Sequence, residues 1–129
     1  MAVSPDGRWV VATSPNPGEE STAGASAFAV DGGAAVPLCL GYCDLTWNIA
    51  RTLSYIDFPS LHEGTYALPV AHDTGLPKLP PSGIARLEDL TNAKAAAVIP
   101  QAVESAASPS VYAYTRRNIR RNLYRIPLP

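Results

Sequence analysis

At 129 residues the chain has room for one ordinary domain and its core. Apolar residues make up 47% and charged residues 16%, with a formal net charge of −1, which excludes a disordered chain and argues against a nucleic-acid partner. No apolar run reaches the roughly 18 residues of a membrane-spanning helix, and the first twenty residues lack a basic stretch followed by an apolar one.

The first local signal is Ser4-Pro5-Asp6-Gly7. Pro5 presets φ for a turn, Asp6 can bond back to nearby amides, and Gly7 supplies the positive φ that reverses the chain. Residues 9–13 then read as a strand with Trp9, Val11 and Thr13 on one face and Val10 and Ala12 on the other. Neither face is properly polar, so the strand belongs in a sheet covered on both sides. Residues 15–22, polar and carrying Glu19 and Glu20, read as an exposed loop. A second strand over 25–30, a turn at Asp31-Gly32-Gly33 and a return over 34–38 follow.

A second unit enters at 44–47, turns through Asn48-Ile49-Ala50-Arg51 without the Pro-Asp-Gly chemistry, and continues with strands over 53–58 and 65–70. His72-Asp73-Thr74-Gly75 takes the place of Asp31-Gly32-Gly33, before a proline-rich return over 76–81. Residues 86–97 break the β pattern with helix-favouring Leu, Glu, Ala and Lys and predict a short helical insertion. Strands resume near Val98, over 111–115 and over 122–127.

Aligned on these runs, Trp9 corresponds to Thr52 and Ser110, at offsets of 43 and 58 residues, and Phe28 corresponds to Tyr66 and Tyr124, at 38 and 58. Self-similarity on a period of about 40–45 residues, built of short strands, predicts an all-β fold: a partial β-propeller of about three four-stranded antiparallel blades. The single domain, 1–129, divides into units at about 1–43, 44–84 and 85–129, with the insertion near 86–97 in the third. Closed propellers have about four to eight blades, so the remaining blades are expected in cis or by self-association.

Ser-Pro-Asp-Gly-Arg-Trp-Val-Val-Ala-Thr at 4–13 resembles the signature of the TolB-like, WD-repeat-like propellers of bacteria. The tail, with Val-Tyr-Ala-Tyr-Thr-Arg at 111–116 and Arg-Asn-Leu-Tyr-Arg-Ile-Pro at 121–127, resembles the C-terminal end of propeller-bearing, eukaryotic-like serine/threonine protein kinases. The likeness implies a propeller following a kinase domain. No kinase motif is present in this sequence, and Asp57-Phe58-Pro59 lacks the glycine of Asp-Phe-Gly.

Candidate chemistry is sparse. Cys39 and Cys43 frame Leu40-Gly41-Tyr42, and with His62 and His72 they match the ligand count of one zinc site. An extended chain would hold the two sulfurs too far apart for a disulfide, unless Gly41 folds the loop, so buried thiols are the expectation and no cofactor or metal is implied. His62-Glu63 and His72-Asp73 set an imidazole beside a carboxylate in loops, where solvated side chains are the ordinary case. Arg116, Arg117, Arg120 and Arg121, with Arg125, form a basic patch that reads as a solvated tip or a contact for a protein partner. The expectation is therefore a non-catalytic module for protein or ligand binding, with contacts from the loops 19–22, 60–64 and 116–121. The alternative is the propeller fragment of a multidomain enzyme whose catalytic domain is absent: a serine/threonine protein kinase or, second to it, a prolyl-peptidase-type hydrolase.

Overall fold

The computed structural model describes residues 1–16, 19–58, 62–95, 97–105 and 111–114. The described chain is mostly antiparallel β-sheet. A first sheet runs in order β1 (Ala2–Val3), β2 (Trp9–Asn16), β3 (Glu19–Ala29) and β4 (Val36–Cys39). A second takes β5 (Asp44–Trp47), β6 (Leu53–Phe58), β7 (His62–Pro69) and β8 (Ala97–Ile99) in the same order, and β9 (Val103–Ser105) pairs with β10 (Tyr112–Tyr114). The short helix α1 (Leu87–Asn92) lies between β7 and β8.

Several elements differ from the sequence expectation. Residues expected as a loop over 15–22 extend a hairpin to Asn16 and from Glu19, with a register shift beside Pro15. Backbone pairing needs no apolar side chains, and proline is tolerated at such an irregularity. The helix is shorter than 86–97: Asp89 accepts from the amides of Ala85 and Arg86 at 3.0 Å each, fixing its start, and Lys94 at φ 52° ends it. Ala97–Ile99, expected in the third unit, is the fourth strand of the second sheet, so the excursion through α1 interrupts that sheet. On the way it passes the first sheet, where the Ile84 amide donates to Leu38 O at 2.9 Å and the Leu40 amide to Ile84 O at 2.8 Å. The expected third strand over 122–127 lies outside the described residues.

Cys39 and Cys43 form a disulfide rather than a pair of thiols. Gly41, at φ 87°, folds the intervening loop so that the Cα atoms stand 6.5 Å apart, within the reach of the bond. Both sulfurs are thereby removed from any zinc site, and the bridge fastens the end of β4 to the start of β5.

Side chains directly opposite in an antiparallel pair share a face, so the register tells which rows correspond. Val3, Val10 and Phe28 form one row of the first sheet, and Trp47, Ser54 and Leu68 the matching row of the second. The matching offsets are 44 residues on β2 and β6 and 40 on β3 and β7, so the sequence alignment at 43 and 38 slipped by one residue and by two. A one-residue slip exchanges the faces of a strand. From the second sheet to the two-stranded one, Leu45 opposite Ile56 and Val103 opposite Tyr114 keep the offset of 58.

Asn48 explains how the second turn forms without Pro-Asp-Gly. In the first turn the Ser4 amide donates to Trp9 O, the Gly7 amide to Ser4 O, and Ser4 Oγ accepts from the Trp9 amide, each at 2.9 Å. In the second the Asn48 amide donates to Leu53 O, the Arg51 amide to Asn48 O, and Asn48 Oδ1 accepts from the amides of Thr52 and Leu53, all at 3.0 Å. One carboxamide does the work that Ser4 and Asp6 share in the first turn. Fully buried Asn48 has no water to replace these bonds, so Asn48→Ala is expected to cost about 1–3 kcal/mol in urea unfolding. Asn48→Ser, which restores the acceptor of the first turn, is expected to lose less.

Candidate functional site

Ser4 opens the first turn and its hydroxyl donates to Asp6 Oδ1 at 2.6 Å. The same carboxylate accepts from the Arg8 amide at 3.1 Å and, through Oδ2, from Arg8 Nε at 2.7 Å. These donors hold the Asp6 carboxyl well below the usual carboxylate range, the Ser4 hydroxyl contributing most and Arg8 next. Asp6 is a weak base and the Ser4 proton is spent on it, so the pair is a built turn and not an activated nucleophile.

The turn then reaches across to the second sheet. Trp9 Nε1 donates to Thr74 O at 2.7 Å, Trp47 Nε1 to Gly75 O at 3.2 Å, and Arg8 Nη1 to Asp73 O at 3.3 Å. Three side chains from both sheets thus hold three successive carbonyls of the loop after β7. Trp9, expected to be buried, is only half-buried because its indole must reach this exposed loop.

Between the two turns and that loop lies a cavity of about 230 Å³. Trp47, Val70 and Ala71 line it as apolar walls, and Arg8, Arg51 and His72 bring polar groups to it. Arg8 is committed to Asp6 and Asp73, which leaves Arg51 and exposed His72 as groups able to meet a ligand. Arg51 stands at φ 59° where the first turn has Gly7 at φ 72°. A non-glycine side chain in the left-handed region carries strain, here as at Lys94.

A second cavity of about 160 Å³ is bounded by residues of β1, β5 and β9, among them Ala2, Leu45 and Val103, with Asp44, Asp57 and Glu104 around it. The first strand of each sheet therefore contributes to one space. Val103 also packs with Tyr55, Ala67 and Ile99 on the far face of the second sheet.

Of the residues expected to make contacts, Arg116, Arg117, Arg120, Arg121 and Arg125 lie outside the described residues, as do Ser60 and Leu61. Residues 19–22 begin β3 and His62 and Glu63 begin β7, so both stretches are strand ends. Ser4, Pro5 and Asp6 line the groove. The sequence reading missed Trp47, Ala50 and Arg51 as its other walls; the signal lay in register, since Arg51 stands 44 residues after Gly7. Among the described residues no group of three His, Cys, Asp or Glu could hold a metal ion, and no helix is long and apolar enough to cross a membrane. No family model, curated protein or solved structure matches the chain.

Two measurements probe this site. Arg51→Gly relieves the left-handed backbone and is expected to stabilise the fold by up to about 1 kcal/mol in urea unfolding, the greater chain entropy of glycine offsetting part of the gain. For Asp6, a folded value below the unfolded one means a contribution that is whole above pH of about 4 and is lost as pH falls through the folded value. Asp6→Asn is therefore expected to flatten the acid limb of the stability–pH profile.

Proposed function

We propose that the chain is a non-catalytic binding module: a run of blades from a TolB-like β-propeller, serving as the sensor or interaction part of a larger protein of the serine/threonine-kinase kind. The observation that carries this reading is a difference between two corresponding faces. Trp47, Ser54 and Leu68 are 6%, 0% and 1% exposed beneath the first sheet, whereas Val3 and Phe28 of the matching row are 56% and 39% exposed. The same row is covered in one sheet and, apart from half-buried Val10, open in the other, as in a stack whose first member awaits a neighbour.

The stacking has one polarity. Val11, Ala25 and Ala27 of the first sheet share a core with Ile56, Phe58 and Leu68 of the second, and Tyr55 and Ala67, on the opposite face of the second, share another with Val103. A further sheet offering a small-residue face like that of Ala25 and Ala27 would complete the series. It would come from elsewhere in the same protein or from another copy. Such a stack gathers its loops at the two ends, and the groove of Arg51, His72 and Trp47 supplies a recognition surface at one of them.

Light scattering coupled to gel filtration tests the architecture. The 129-residue chain is expected to self-associate through the bare face, and Phe28→Lys is expected to shift it toward the monomer. A monodisperse, cooperatively unfolding wild-type monomer would overturn the open stack. Intrinsic fluorescence tests the groove, because the only two tryptophans of the chain, Trp9 and Trp47, both bond to its loop. A peptide or small molecule bound there shifts the emission saturably and binds more weakly to Arg51→Ala; binding indifferent to both places the function elsewhere.

A further inference from the structure

Thr65 is fully buried, and its hydroxyl has three neighbours. It accepts from the Val103 amide at 3.1 Å, lies 2.9 Å from Gln101 O, and bonds to Asp57 Oδ1. A hydroxyl owns one proton and two lone pairs. Gln101 O is an acceptor only. If Asp57 is ionised it is an acceptor too, and the single Thr65 proton is asked to serve both. If Asp57 carries a proton the count closes: Asp57 donates to Thr65, the Val103 amide donates to Thr65, and Thr65 donates to Gln101 O.

The charges around the site favour the same arrangement. Asp44 on β5 and Glu104 on β9 face Asp57 on β6, so three carboxyl groups meet where the second sheet joins the two-stranded one. Tyr55 on β6 and Met1 line the same cavity, and Tyr114 on β10 lines the adjoining one. The Tyr42 hydroxyl donates to Asp44 at 3.0 Å. Half-burial raises the Asp57 carboxyl above its ordinary range, the Thr65 bond opposes that rise, and the repulsion of Asp44 and Glu104 adds to it.

We propose that Asp57 is the protonated member of this cluster, and that its proton latches the 101–103 segment, and with it β9, to the second sheet. Deprotonation leaves Gln101 O without a donor and sets three like charges across the junction, so the latch is tight in acid and loosens as pH rises. The proton exchanges with solvent through the cavities on either side of Asp57. The sign follows from linkage: a group that binds its proton more tightly when folded stabilises the fold at low pH, and the contribution fades as pH climbs from the unfolded value through the folded one.

Carboxyl ¹³C titration by NMR of the whole chain, read together with hydrogen-exchange protection of the Val103 amide, tests the latch. The Asp57 midpoint is expected above the ordinary carboxylate range, with Val103 protection falling about tenfold across it, as the loss of one net hydrogen bond implies. Glu104→Gln, at an exposed position, is expected to lower the midpoint by removing a like charge. Asp57→Asn, whose carboxamide can donate to Thr65 permanently, is expected to make Val103 protection independent of pH. An Asp57 midpoint at or below the ordinary range, or wild-type Val103 protection that does not change between acid and neutral pH, overturns the proposal whether or not the asparagine variant folds.

Discussion

The packing of a small-residue face on a large-residue face holds the described molecule together. Ala25 and Ala27 on β3, with Val11 on β2, present a shallow surface into which Trp47, Ile56, Phe58 and Leu68 of the second sheet fit. Alanines on one side leave room for the large side chains of the other, the interdigitation by which protein interiors are packed. Everything at the groove depends on this contact. It sets the distance across which Trp9 reaches Thr74 and Arg8 reaches Asp73, and the Cys39–Cys43 bridge and the Ile84 pairing to Leu38 fasten the same two layers at another point.

The strands were legible because apolar alternation and turn chemistry are local. The spans 44–47 and 53–58 follow directly from Leu45 and Trp47, and from Tyr55 with Ile56, set between turn residues. What was not legible is non-local. Nothing near Ala97 says that it joins an edge 30 residues back, opposite Ala67, because that pairing is decided by the path of the intervening excursion. The second turn was obscured for a different reason. Its backbone is that of the first, but one carboxamide replaces a hydroxyl and a carboxylate, so a reading keyed to residue identity finds no likeness between Ser-Pro-Asp-Gly and Asn-Ile-Ala-Arg. The error then spread: with the turn unrecognised, the alignment slipped by one residue, a shift that on a strand exchanges the two faces. The candidate groove went unread with it, since its walls come from three loops that only the packed sheets bring together.

The cysteines teach a related lesson. Extended geometry argued for separate thiols, and burial, which was expected, is what the structure has. The bond depends on one backbone torsion at Gly41, a residue whose accessible conformations include both the extended and the folded alternatives.

The two interfaces between sheets are unlike, and the difference bears on how the proposed binding module would move. The first is apolar and broad, closed by a disulfide and by indole hydrogen bonds at its rim. The second gathers Tyr55, Ala67, Ile99 and Val103 in a smaller cluster and sets Asp44, Asp57 and Glu104 beside it. Apolar burial scales with area, whereas a carboxylate taken partly out of water costs free energy unless neutralised. Local opening is drawn from the elements with the least apolar contact, so the second interface is expected to open more readily than the first. The groove, seated at the first interface, is by the same reasoning the rigid part, and preorganisation of that kind is what lets a surface bind without spending its affinity on ordering itself.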